Sequence, residues 1–527
     1  MIEVRDAGPG DVEGIRDVFR ACYGAHYPHA QYYDIDRLTR MVYSEGQVLL
    51  VAEDTDARRV VGTASVVLET SAMSDLVAEF GRLAVHPEAR GAGVGRRLMQ
   101  ERLARVRDRL HVGYVEARVA HPFSARIAEA HGFHPVGFLP LKMALGERET
   151  VCLMAQHFGE ALALRRNHPR VIPEAYPLAQ LALQHCGLPC DVVVDDESAA
   201  YPPAEGLEAR ELTAEGYSPL LRIERGRVRH REVFGAMRLH YGLFKLRSSR
   251  SHYLLAMNDD LVEGGLGWTE DPIDRVVTVF ELIAMDDAVA RFLLERLEQN
   301  CRDRGTAFVG VDVSAHAPGM QRTLLELGFL PAAYVPAMAF SDVERIDIVK
   351  MVRLLVPPVF PALELGPQAQ AMRRVVLEPF ARQRLLPRIE HAVGELPLFR
   401  DLSAEQVSRL AGACTLARFD PGAHVIEEGG RDATLHILLS GQVSVHRSGR
   451  DGVVGMVGPG ECLGERSLLT GQPHSATAVA IEPLETAALG HAGFTSLVRA
   501  RPDIGLVVYR NLALGLGDKL HRVSATR

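Results

Sequence analysis

Lysine is nearly missing from this 527-residue chain: Lys142, Lys245, Lys350 and Lys519 stand among 59 basic residues, a scarcity that a coding bias toward alanine and arginine accounts for. Long apolar runs are missing as well. No stretch approaches the ~18 residues of a membrane span, and Met1 to Gly10 is polar, without the apolar core of a secretory signal. Cysteine is sparse and odd in number, seven residues scattered without a disulfide framework, as expected of free thiols in a reducing compartment. A cytoplasmic protein without a membrane partner is expected. Positive charge is not in excess either: 59 basic against 67 acidic residues give a net charge of -8, so no global field attracts nucleic acid, and any phosphate site must be local. His185, Cys186 and Cys190 are the only suggestion of a metal site, and they lack a fourth ligand nearby. They read as helix-end packing, with no metal.

What is present is a soluble composition, 47% hydrophobic and 24% charged, long enough for three or four domains. The most specific stretch runs from Phe80 to Met99. An apolar strand leads into Arg90-Gly91-Ala92-Gly93-Val94-Gly95-Arg96-Arg97 and then into an amphipathic helix. Glycines allow a tight turn and close approach of the backbone, so successive N–H groups and the helix N-terminus converge on one anion. Arg90 and Arg96 add permanent positive charge.

Around this loop, Ile2 to Arg5, Gln47 to Ala52, Val60 to Leu68, Val77 to Val85, Tyr114 to Val119 and Pro135 to Met143 read as strands. Asp11 to Tyr23, the segment from the loop to about Arg109, and Phe123 to Ala130 read as helices. This order, with Arg90, Gly93 and Gly95 in the positions of a Q/R-x-x-G-x-G/A signature, resembles the GNAT superfamily of acyl-CoA-dependent N-acyltransferases. The resemblance covers residues 1–148. It implies acetyl-CoA as cosubstrate, its pyrophosphate held by Arg90, Gly91, Ala92, Gly93, Val94, Gly95 and Arg96. It also implies that the pantetheine arm and thioester lie along the backbone of Leu83, Ala84 and Val85, with Ser124 nearby.

A repeat extends the pattern. Pro122, Gly132, Phe133, Pro135 and Pro140 recur 196 residues later as Pro318, Gly328, Phe329, Pro331 and Pro336. The second copy is shorter where the first has its Gly-rich loop, leaving Asp286-Asp287-Ala288-Val289-Ala290. Two carboxylates there would repel a pyrophosphate. Residues 206–345 therefore read as a degenerate GNAT-like domain with a structural or substrate-shaping part, joined by a helical connector over 149–205 with two helical stretches.

After a helical linker over 346–393, with Arg373, Arg374, Arg382, Arg384 and Arg388 on a basic helix, composition shifts to short strands. A strand from Leu396 to Phe399 and a helix from Ala404 to Ala411 lead into turns at Pro421-Gly422, Glu428-Gly429-Gly430, Ser440-Gly441 and Pro459-Gly460. Residues 394–527 resemble a cyclic nucleotide-binding domain. The expected architecture is thus α+β: two GNAT-like mixed α/β domains, then a β-roll with C-terminal helices, the last from about Phe494 to Leu520. In the phosphate cassette, the resemblance implies that Gly464, Glu465, Arg466, Ser467 and Ser475 surround the ligand, with Glu465 accepting from the ribose hydroxyl. His474 stands where the family carries an arginine, and a protonated histidine is a partial substitute. Cyclic AMP or cyclic GMP is the implied effector. The chain carries no helix-turn-helix, which disfavours transcription-factor function.

Acyl transfer needs an uncharged amine, whereas a lysine with pKa ~10.4 is almost wholly protonated at neutral pH. Related lysine acetyltransferases use a strand glutamate as base through a water, and Glu79 holds that position. The usual general-acid tyrosine is replaced by Ala128, leaving His121 as the substitute acid. The acceptor is a protein lysine or a small amine; oligomeric state is not legible. The scarcity of lysine also fits an enzyme that spares itself. Two other readings stay open: an acyltransferase for small amines or amino acids whose C-terminal domain is a scaffold, and a non-enzymatic acyl-CoA sensor.

Overall fold

The computed structural model describes every residue except 25, 26, 28, 69–75, 213–231, 236–250, 362–364, 384–398, 450, 451, 526 and 527. Arg384, Arg388 and Leu396 lie outside the described residues, as does part of the 206–345 domain. The chain divides into two compact units, Met1–Leu377 and Glu378–Arg527.

In the first unit, β1 (Ile2–Asp6), β2 (Gln47–Asp54), β3 (Arg59–Leu68), β4 (Val77–Val85), β5 (Val112–Arg118), β6 (His134–Leu145) and β7 (Glu147–His157) form the first copy with α1 (Val12–Tyr23), α2 (Ile35–Val42), α3 (Val94–Val106) and α4 (Phe123–Glu129). The β-branched runs of β2 and β3 bury Leu49, Leu50, Val51, Val61 and Val66, and α1 lays Val12, Ile15, Val18 and Phe19 into the core at helical spacing. A connector carries β8 (Arg170–Val171), α5 (Tyr176–His185) and β9 (Val193–Val194). The second copy follows: β10 (Glu208–Glu211), β11 (Val233–Phe234), β12 (Ser251–Asn258), β13 (Leu261–Asp271), β14 (Val276–Ala284), α6 (Asp287–Asp303), β15 (Phe308–Ser314), α7 (Pro318–Glu326), β16 (Leu330–Ser341) and β17 (Glu344–Leu354), then α8 (Pro367–Gln383).

All strands of the two copies join one 15-stranded sheet of order β1-β2-β3-β4-β5-β7-β6-β16-β17-β15-β14-β13-β12-β10, with β11 pairing to β15. Its two halves are mirror sequences of one topology, and the backbone repeats in detail. Leu141 and Ala337, 196 apart, have φ of 50° and 49°, and Gly132 and Gly328 have 88° and 79°. The halves meet where Gly137 pairs with Ala333. A Cβ at Gly137 would lie 2.2 Å from that of Ala333, so only glycine permits the approach.

The boundaries expected at residues 148 and 345 both fall inside strands. β7 inserts between β5 and β6, and β17 between β15 and β16, so each copy needs the strand beyond the expected boundary to complete its sheet. The connector holds one α-helix rather than two, because its first residues belong to β7. It is fixed to the second copy by Arg165, which donates to Asp347 at 2.6 Å and to Asp191 at 2.9 Å, the first carboxylate being fully buried. Asp347 also accepts from the Tyr334 hydroxyl and from Ala337 N–H, a set of bonds that compensates its burial. His185 Nδ1 lies 2.8 Å from the Pro135 carbonyl, and burial raises the Cys186 thiol to about 12, so both serve packing.

The second unit comprises α9 (Ala404–Gly412), β18 (Thr415–Phe419), β19 (His424–Ile426), β20 (Thr434–Ser440), β21 (Val443–His446), β22 (Gly455–Val457), β23 (Cys462–Leu463), α10 (Glu465–Thr470), β24 (Thr477–Ala480), β25 (Leu484–Gly490), α11 (His491–Ala500) and α12 (Pro502–Ala525). Two four-stranded sheets, β18-β25-β20-β23 and β19-β24-β21-β22, form the roll. Val425, Ile426, Leu438, Val443, Ala478 and Leu484 fill one core; Leu435, Ile437, Leu489, Phe494, Ile504 and Val508 fill another beneath the helices. The expected single C-terminal helix is two: Pro502 restricts Arg501, whose φ and ψ of -137° and 80° leave the helical region. Phe399 lies in a turn rather than a strand, and its side chain packs with Leu410 and Phe494. Among the described residues, no helix is long and apolar enough to cross a membrane, and no group of three His, Cys, Asp or Glu side chains is arranged to hold a metal ion.

Candidate functional site

Strands β4 and β5 are parallel, pairing at Val77–Val112, Ala78–Gly113 and Glu79–Tyr114. Beyond Glu79, β4 continues to Val85 without further pairs to β5, and its register on β3 shifts at a bulge between Thr63 and Ser65. Arg82 sits at the bulge with φ +54°, a left-handed conformation that bulky residues rarely adopt. Its guanidinium pairs with the Glu79 carboxylate, whose side chain is 12% exposed. Beneath the bulge, Arg102 of α3 donates to the carbonyls of Gly81 (3.1 Å) and Ser65 (3.2 Å), and its guanidinium stands 5.6 Å from the Phe80 ring centre. Burial brings Arg102 down to about 9. The splay of the strands is thus held from below.

At the end of β4 the chain turns through Gly91 (φ +84°) and Gly93 (φ +76°) into α3. A Cβ at either glycine meets nothing within 4 Å, so the turn faces open space. The first intrahelical bond runs from Arg97 N–H to the Gly93 carbonyl at 3.1 Å, which leaves the first-turn N–H groups of Val94, Gly95 and Arg96 directed outward. Gly95 is the close-approach position: its Cβ would lie 3.0 Å from Ile127 of α4 and 3.8 Å from Leu83 and Val85. The structure therefore brings Leu83, Val85, the Gly-rich turn and α4 together. Arg90 and Arg96 are exposed, with Arg90 Nε on the Val85 carbonyl at 3.3 Å, whereas Arg97 is spent on the Ile2 carbonyl at 3.0 Å. In α4, Ser124 has a buried hydroxyl without a hydrogen-bond partner. An outward helix N-terminus, glycines with free space and one orphaned hydroxyl fit an acyl-CoA pyrophosphate and arm. His121 is exposed just before α4, its ring 6.0 Å from that of Phe123.

The second copy differs where this matters. Asp286 caps α6, its Oδ1 accepting from Val289 N–H at 2.9 Å, whereas the N-cap of α3 is Gly93, without a side-chain cap. The adjoining cleft, about 430 Å³, is lined by Tyr201, Glu232, Leu282, Asp286, Asp287 and Met320.

In the second unit, Gly464 (φ +87°) opens the six-residue α10. A Cβ there would lie 2.2 Å from the Thr434 carbonyl, so glycine is required. His474 is 5% exposed. Its Nδ1 lies 2.9 Å from the Ser467 hydroxyl and its Nε2 lies 2.7 Å from the Asp432 carbonyl and 3.1 Å from Oδ1 of the same residue. Arg466 donates to Gln472 at 2.6 Å, and Ser475 is exposed.

Residues 12–133 match the Acetyltransferase (GNAT) family, and residues 416–501 match the Cyclic nucleotide-binding domain. The chain fuses a GNAT acetyltransferase domain to a C-terminal cyclic nucleotide-binding domain. Over 126 residues it is 32% identical to a cAMP-dependent protein kinase regulatory subunit of Yarrowia lipolytica, covering 24% of this chain and 33% of that one. Over 127 residues it is 32% identical to a cyclic AMP receptor protein of Thermus thermophilus, covering 24% and 57%. A crystal structure of the Thermus thermophilus catabolite activator protein aligns with 31% identity and a TM-score of 0.23, covering 25% of this chain and 61% of that one. The chain spans about a third of the length of the first curated relatives it matches.

Within the cyclic nucleotide-binding domain, His474 thus has both ring nitrogens engaged, one by Ser467 of α10 and the other by Asp432. Its buried neighbour His436, held 3.0 Å from the Thr486 hydroxyl, is driven down to about 4 by burial and is neutral at physiological pH. Within the GNAT domain, Arg82, Arg102 and the tyrosines beside the site were not singled out by sequence reasoning. Five of the 13 tyrosines fall between residues 23 and 43, a density that was the available signal. Phe19, Tyr23, Tyr27 and Tyr32 stack there, with Tyr23 and Tyr27 4.6 Å apart and Phe19 and Tyr32 4.3 Å apart.

Proposed function

We propose that the first copy transfers the acetyl group of acetyl-CoA to an amine, a protein lysine, and that a cyclic nucleotide in the C-terminal domain changes the rate. The observation that carries this reading is the contrast between the copies: an open Gly-rich helix N-terminus at α3, a carboxylate-capped one at α6. The first-turn N–H groups of α3, Arg90 and Arg96 hold the pyrophosphate, and the Ser124 hydroxyl gains a partner. Bound acetyl-CoA supplies an activated thioester carbonyl beside Leu83 to Val85. Glu79, oriented by Arg82, takes the proton from the incoming ammonium through a water. His121, exposed at the start of α4, is the acid that protonates the departing thiolate.

For the effector, relatives named for cyclic AMP support cyclic AMP over cyclic GMP. Gly464, Glu465, Arg466 and Ser475, with the backbone of Ser467, are the residues left to meet it, since the His474 ring and the Ser467 hydroxyl engage each other. That engagement also favours a second reading, in which the C-terminal domain is a scaffold. Acetyl transfer to a lysine peptide, measured with and without saturating cyclic AMP, tests both parts. A several-fold change in rate is expected. An unchanged rate supports the scaffold, turnover of free small amines alone contradicts the protein-lysine assignment, and no turnover with bound acetyl-CoA supports the sensor.

A further inference from the structure

The turn between β13 and β14 belongs to the copy that lacks the Gly-rich turn, yet it reaches into the copy that has one. Asp271 Oδ1 fixes this turn by accepting from Ile273 N–H at 2.9 Å and Asp274 N–H at 3.2 Å, while Arg275, at φ +53°, anchors it to the Gly305 carbonyl at 2.6 Å. The turn presents Asp274 to the first copy. There its Oδ1 accepts from Ala144 N–H of β6 at 2.7 Å, and its Oδ2 stands 3.7 Å from Nε2 of His29. The His29 ring lies 5.3 Å from Tyr27, which stacks on Tyr23. Tyr23 and Tyr27 pack against the cluster that contains Phe19, Tyr32 and Ala84, so this aromatic group borders the β4 segment beside which the thioester is proposed to lie. Around it the same face carries Lys142 paired with Glu116 and Arg118 paired with Glu149.

We infer that Asp274 is a positioning residue for the acceptor amine, by which the degenerate copy holds the His29–Tyr27 wall of the first copy's site. The inference rests on the transferase reading for the word acceptor, and on geometry alone for the contact. Three features support the assignment. The carboxylate is 14% exposed although it has a single hydrogen bond to the first copy, so burial is tolerated for more than that bond. Its turn is pinned on its own side by the Asp271 and Arg275 bonds, so loss of the Asp274 carboxylate is felt at residues 29–33. The partner it approaches, His29, lies on the Tyr23–Tyr27 cluster and not on the Gly-rich turn.

Full-length wild type, Asp274→Asn and Asp274→Ala are compared by two readouts. In hydrogen exchange, Asp274→Ala is expected to speed exchange at residues 29–33 at least tenfold and leave residues 94–99 unchanged. In steady-state kinetics, KM for a lysine peptide is expected to rise about tenfold while KM for acetyl-CoA stays within twofold, with Asp274→Asn intermediate because it keeps an acceptor for Ala144 N–H. A merely structural role would move both KM values and exchange across the sheet together. Unchanged exchange at residues 29–33, or equal losses for the two substrates, overturns the inference. Wild type that binds acetyl-CoA but acetylates no amine contradicts the transferase reading instead, and the exchange measurement still decides the contact.

Discussion

Gly93→Asp should lower the affinity for acetyl-CoA about a hundredfold while the protein remains folded. Gly93 is the N-cap of α3 in the left-handed region, and Asp is among the few residues that tolerate that region. Open space at its Cβ means no clash. The harm comes from charge and competition. A carboxylate at position 93 stands at the helix N-terminus beside the first-turn N–H groups, and each charge-assisted bond lost to the ligand costs about 1.5–3 kcal/mol. Repulsion of the pyrophosphate adds to this. Calorimetry reads the affinity, and circular dichroism reads the fold. Binding within threefold of wild type would show that the pyrophosphate lies elsewhere.

Glu79→Gln should lower kcat by about 10²- to 10⁴-fold, the usual span for loss of a general base, with acetyl-CoA affinity unchanged. Glutamine keeps the shape and an oxygen for Arg82, so the β4 bulge and the Arg102 bonds to Gly81 and Ser65 persist. What disappears is the capacity to accept the ammonium proton, which at neutral pH stays on nearly every lysine acceptor. Raising the pH should narrow the difference, because an amine that deprotonates in solution needs the carboxylate less. A kcat within threefold of wild type, at pH 7, would remove Glu79 from the proton path.

The cradle was legible because its information is local. Arg90 to Gly95 lies in one turn, and the strand before it and helix after it are set by alternation and helical spacing within a few residues. The repeat was legible for the same reason, since Gly132 and Gly328 mark the same left-handed position. β7 was not, because its first residues, Glu147 to Glu149, are charged, and Glu149 finds its partner Arg118 only across the sheet, 31 residues back. The split between α11 and α12 could have been read from Pro502. The partners of His474 could not: Asp432 is 42 residues away, brought near by the roll. Asp274 and Ala144 are 130 residues apart and meet only because two copies share one sheet. Side chains that act across such distances carry no local signature, and Tyr23 and Tyr27 acquire meaning only once the fold packs them beside Ala84 and His29.

The central claim is that of two related copies, one alone keeps a working acyl-CoA site. Titration calorimetry of the full chain with acetyl-CoA tests it most directly through stoichiometry. One molecule bound per chain, its affinity lowered about a hundredfold by Gly93→Asp, is the predicted result. Two per chain would show that Asp286 does not close the second site, and none would show that the Gly-rich turn of the first is not an acyl-CoA cradle.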